Sequence, residues 1–365
     1  MTTRPKLPLQ LSEGHTSPVV AVVVPSELTT AGTSGCETAP MIVEDPPQPP
    51  TILRPGAWAL GPEDRPQPAG RVYALVLESQ LPEFRLHEPG IRADEDPEHV
   101  HAQRVAVRRA RSLLTSGKRV FPGALRRGLA ASMTSLSVAT SGVRDLDVLL
   151  AAIGQRTESI SPELRDGSQH LLAAFRLRRS TRFDELESLM EGPRYAATLR
   201  NWQRLGSVYR VGGDEPGPDA LLPAGVVVDA ALMAALHRVR DGGRRAHATD
   251  ELTDWHELRK RLKRLRYLVA AFAPMYPDGS MDPVVRRVRK LQNVLGRLQD
   301  HATEIALIES VGAAMGGRGA LAAGALSDQL HRATVQDLEH CLGAWARFDH
   351  RSVRRTLRAN IAAYD

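Results

Sequence analysis

The sequence predicts an all-α protein, and three observations carry that expectation. Leu, Ala, Arg and Val dominate much of the chain, a helix-leaning composition. From about residue 70, apolar residues recur every three or four positions, with turn signals between the segments. The segments also fall into two halves related by a single offset of 155 residues.

Residues 1–69 lie outside this pattern. They hold 13 of the 25 prolines and carry four Lys/Arg against seven Asp/Glu. Such a segment reads as a disordered, Pro-rich acidic tail, with a docking or regulatory segment as the functional alternative. Its apolar run Val19–Val24 ends at Pro25, too short for a membrane span, and no cleavage region follows. Residues 70–98 are ambiguous, because Pro82 and Pro89 oppose a regular helix. Helical patterns then cover 100–120, 124–153, 164–191, 194–206, 228–241, 252–273, 282–314 and 319–361. The Gly- and Pro-containing stretch 207–227 separates a first repeat, about 70–206, from a second, 228–365.

The net charge is +6, and removing the acidic tail leaves +9 on the rest. That imbalance points to an anionic partner without naming it. The two cysteines, Cys36 and Cys341, form neither a disulfide framework nor a zinc spacing, which suits a cytoplasmic location. No membrane contact is expected, and the sequence leaves the oligomeric state open.

The offset is clearest in His101–Arg111 (HAQRVAVRRAR), which falls on His256–Arg266 (HELRKRLKRLR). His101 meets His256, Arg104 meets Arg259, Arg108 meets Lys263, Arg109 meets Arg264 and Arg111 meets Arg266. At 100° per residue, His101, Arg104, Arg108 and Arg111 share one side of a helix, opposite Val107, Ala110 and Leu114. His256, Arg259, Lys263 and Arg266 repeat the stripe, opposite Leu258, Leu262, Leu265 and Val269. The plain alternative is a solvated charged face. Against it, residues 101–130 hold eight Lys/Arg and no Asp/Glu, an arrangement that destabilises an isolated helix. A third helix, Val284–Asp300, projects Arg286, Arg289, Lys290 and Arg297 to one side. Arg176, Arg178, Arg179 and Arg182 would extend the basic surface from the first half.

These residues, with Arg144-Asp145-Leu146-Asp147-Val148 and Leu295-Gly296-Arg297-Leu298-Gln299-Asp300, resemble the CHAD domain, the conserved histidine α-helical domain. Tyr267, and Arg194-Tyr195 with Trp202, add to the likeness, which spans roughly 70–365. One departure is Thr140-Ser141 in place of the family's Leu-Gly. The resemblance implies two pseudo-symmetric antiparallel four-helix bundles, arising from the duplication, with a basic groove or cavity between them. It also implies binding of inorganic polyphosphate, on polyphosphate granules in some members. Charge-assisted bonds from Arg and Lys suffice for such a ligand, which has no bases to read. The expected contacts are the two stripes with their histidines, and Arg286, Arg289, Lys290 and Arg297. Arg109 and Arg264 point off the stripes and are expected to pair with Asp145 and Asp300, locking helices together.

Other functions find less support in the sequence. The nearest approach to a triphosphatase Glu-x-Glu-x-Lys strand, Glu185-Leu186-Glu187, lies in a helical pattern and lacks the Lys. No carboxylate cluster suited to Mg²⁺ accompanies it, so no catalytic residue, metal or cofactor is expected. An accessory module for a phosphate-processing enzyme stays an alternative. Only 4% of residues are aromatic, too few for a single-strand stacking platform, which leaves nonspecific rather than specific nucleic-acid binding.

Overall fold

Residues 60–211, 215–348 and 350–364 are described in a computed structural model, and they form twelve α-helices and two 3-10 helices, with no strand. They belong to a unit spanning Pro40–Asp365; a second unit, Met1–Ala39, lies outside the described residues. The ambiguous stretch after residue 70 is three short helices, α1 (Ala69–Glu78), α2 (Gln80–Leu86) and α3 (Glu88–Arg92). Pro82 and Pro89 both fall in first turns, where the missing N–H would have had no helical partner. At the start of α4 (Pro97–Ser116), the Asp96 carboxylate accepts from the Glu98 amide at 2.8 Å. α5 (Gly123–Glu158), α6 (Pro162–Glu191) and α7 (Pro193–Val211) follow. α8 (Ala224–Thr249), α9 (Leu252–Phe272), α10 (Asp282–Gly312), α11 (Gly317–Arg347) and α12 (His350–Ala362) complete the chain. The pattern over 319–361 is therefore two helices, divided at Phe348, whose backbone is extended. The break expected over 207–227 is shorter, since α7 continues through 211 and α8 starts at 224.

Residues 60–69, expected to close the tail, are folded, with a 3-10 helix over Pro62–Asp64. The last of them pair with the segment before α8. Ala69 N donates to Leu222 O and Ala224 N to Gln67 O, both at 2.8 Å. Gly70 N donates to Ala220 O at 2.8 Å, and Gly225 N to Arg65 O at 2.9 Å. Within each pair of bonds, adding 155 to one half while exchanging the halves turns one bond into the other. Pro68 and Pro223 face each other at the centre. Gly70 is required by proximity: a Cβ there would lie 2.6 Å from the Tyr209 ring. Arg65 donates to Asp229 at 2.7 Å, with both side chains largely buried, and its guanidinium lies over the Tyr276 and Tyr364 rings. The Tyr276 hydroxyl donates to the same carboxylate.

Buried apolar residues form two clusters, and each draws on both halves. The larger joins α1, α4, α7, α8, α9 and α12 with neighbouring portions of α5 and α10. The smaller joins the far portion of α5, α6 and α10 to α11, through residues such as Leu149, Phe175, Ile308 and Leu326. The division of the core thus runs across the long helices, not between the repeats. Among the described residues, no helix is long and apolar enough to cross a membrane.

Candidate anion-binding site

α4 and α9 pack against one another. Their apolar stripes point inward, with Val107, Ala110 and Leu114 of α4 and Leu258, Leu262 and Leu265 of α9 all buried. The basic stripes are left beside each other, and their charges interact across the helix pair. Burial, then Arg259, Arg108 and Arg104, hold the Lys263 ammonium down to about 6, against Asp300. Burial, then Arg144, Arg108, Arg104 and Lys263, hold the His101 imidazole down to about 4. Burial and Arg108 lower Arg104 to about 10, against Asp145. Arg259 is lowered by burial too, with Arg108 adding to it. Arg111 is lowered by burial and then by Arg264 and Arg108. Cations from both halves thus occupy one low-dielectric region, where each raises the free energy of the others' charged forms.

Two carboxylates enter this cluster at matching positions. Arg104 donates to Asp145 at 3.1 Å and Arg259 to Asp300 at 3.5 Å. This corrects the expected pairing of Arg109 with Asp145 and of Arg264 with Asp300. Five residues of helix separate Arg104 from Arg109, a rotation of about 140°, so the two leave α4 on different sides. Burial lowers the Arg109 pKa, against Tyr267 and Glu83. Arg264 is exposed and lies near Arg111. The Nε atoms of Arg104 and Arg259 are both buried without a hydrogen-bond partner. The His256 ring contacts Gln299, and burial is the main cause of its lowered pKa.

The other expected contacts have surroundings of their own. Arg297 donates to Asp337 at 3.4 Å, toward α11. Arg286 and Lys290 are exposed, Arg289 has a partner of its own, and Arg266 lies over the Tyr267 ring. Of the arginines on α6, Arg179 joins Asp94 and Asp147, Arg182 pairs with Glu185, and Arg178 donates to Ser310. Arg178 and Arg179 thus brace α6 against its neighbours, while the Arg182–Glu185 pair lies within α6. Arg144 is the residue missed from sequence; it is the strongest charged neighbour of His101. It opens the Arg-Asp-x-Asp-Val segment, so its position was marked by the motif. A Cβ at Gly296 would meet open space, so that motif glycine answers no packing demand here. Among the described residues, no group of three or more His, Cys, Asp or Glu could hold a metal ion.

The family model for the CHAD domain matches residues 75–309. The chain belongs to the CHAD domain family. Two solved CHAD-like folds superpose on it. The CHAD domain from the plant Ricinus communis does so with a TM-score of 0.57 and 21% identity, covering 84% of this chain and 96% of that one. PptA from Streptomyces chartreusis gives a TM-score of 0.57 at 18% identity, over 77% of this chain and all of that one. Among curated proteins, the uncharacterized protein Rv2226 of Mycobacterium tuberculosis is 29% identical over 257 residues, 67% of this chain. The match covers 46% of that relative, so the chain spans about half its length. CHAD domains are generally binding modules rather than enzymes.

Proposed function

We propose that this CHAD protein binds inorganic polyphosphate across α4 and α9, with His101, Arg104, Arg108, Arg111, Arg144, Arg259 and Lys263 at the centre. One observation carries the reading. Basic groups from both halves share a half-buried region in which Asp145 and Asp300 are the opposing carboxylates, so their charged forms are disfavoured there. A polyanion removes that cost, supplies acceptors for the unpartnered Nε atoms, and is long enough to reach both halves. Polyphosphate binding is a general property of the family. His256, Arg266, Arg286, Arg289, Lys290 and Arg297 flank the centre as secondary contacts along an extended chain. The two repeats are read as products of a duplication, supported by the 155-residue offset and the exchange-related backbone bonds before α1 and α8. A cytoplasmic location, on polyphosphate granules, follows from this reading.

The reading is tested by competition at physiological salt between long-chain polyphosphate and duplex DNA of equal phosphate content. Polyphosphate should bind at least tenfold more tightly. Equal or tighter binding of DNA would overturn the proposal in favour of nonspecific nucleic-acid binding.

A further inference from the structure

A hollow of about 660 Å³ opens between α8 and α12, and none of its lining residues belongs to the α4–α9 cluster.

Six arginines line it: Arg240 and Arg244 from α8, and Arg351, Arg354, Arg355 and Arg358 from α12. α12 carries no acidic residue in its 13 positions. Arg240 donates to Asp241, but the four arginines of α12 have no carboxylate partner among the described residues. A helix that serves only as a solvated face mixes its charges, because like charges three or four apart destabilise it. Here they repeat along α12 and face further arginines across a concave wall, which concentrates positive potential inside. The volume falls within the range of small-ligand pockets. Leu236, Ala359 and Ala362 supply an apolar floor.

We propose that this hollow is a second anion site, for a small soluble molecule bearing several adjacent phosphates. Planar guanidiniums on two walls suit bidentate contact with neighbouring phosphate groups. Arg351 to Arg358 spans about 10 Å of helix, the scale of a few phosphates and not of a long chain. The site stands independently of the polyphosphate reading, and α12 lies beyond the residues matched by the family model.

Calorimetric titration of the full chain with inorganic tripolyphosphate at physiological salt tests this. One variant is Arg354→Gln with Arg358→Gln, at exposed positions that leave helix propensity nearly unchanged. The other is Arg108→Gln with Lys263→Gln, in the α4–α9 cluster. The expected result is a tripolyphosphate site that survives in the second variant and is weakened at least tenfold in the first. The first variant should keep its affinity for long-chain polyphosphate within twofold. A wild-type protein with no tripolyphosphate site outside the α4–α9 cluster would overturn the proposal. So would a tenfold loss of long-chain affinity in the α12 variant, which would make α12 part of the polyphosphate path. Loss of long-chain binding in the second variant alone bears on the α4–α9 site and leaves this one standing.

Discussion

Lys263 sits among Arg259, Arg108 and Arg104 with Asp300 as the opposing charge. Its folded pKa, about 6, lies below the ordinary value of 10.5. Between those values the unfolded chain holds a proton that the folded chain does not. Its contribution to stability therefore rises with pH across that window and is constant outside it. Lys263→Met should raise Tm of the unliganded protein at pH 7 by about 1–2 °C, the shift produced by roughly 1 kcal/mol for about 300 folded residues. A lower Tm on scanning calorimetry would show that Lys263 supports the fold. The same arithmetic makes polyphosphate binding take up a proton. Affinity should increase as pH falls from about 8 to about 6, by at most about tenfold per unit for one proton. Titrations at three pH values check this, and a flat profile would contradict it.

At the scale of elements, the clasp of Arg65, Asp229 and Tyr276 ties the segment before α1 to α8. Asp229→Ala leaves a buried guanidinium without its counter-charge and should cost about 3 kcal/mol, read by chemical denaturation. A loss under 1 kcal/mol would mean that the rings over Arg65 hold it without the carboxylate. The basic stripes of α4 and α9 were legible in sequence, because charge and helical period repeat together at one offset. Their carboxylate partners were not. The period says from which side of α4 Arg104 and Arg109 depart, but not which neighbour lies there, and α5 brings Asp145 to Arg104. The offset also marks Pro68-Ala69-Gly70 against Pro223-Ala224-Gly225, which would have placed the start of α1 and shortened the tail. Nothing comparable marks the division of α11 from α12, because Phe348 is flanked by neither proline nor glycine.

Across the molecule, the two halves share both apolar clusters, so neither repeat keeps a complete core if separated. Periodicity could not show this, since it reveals which face of a helix is apolar and not which repeat covers it. Removing residues 1–59 should leave polyphosphate affinity within about threefold, roughly 0.6 kcal/mol. Removing residues 1–69 should lower Tm as well, through loss of Arg65 and the paired backbone before α1; equal Tm values for the two truncations would contradict the clasp.

In the proposed complex, one polyanion engages cations from both repeats at once. The slope of log Kd against log salt for long-chain polyphosphate addresses it most directly, measured for the wild type, Arg108→Gln and Arg259→Gln. Each substitution should weaken binding by about tenfold or more, as expected for one charge-assisted contact, and should reduce the slope by roughly one ion. A slope that changes for one repeat alone, or for neither, would contradict the account.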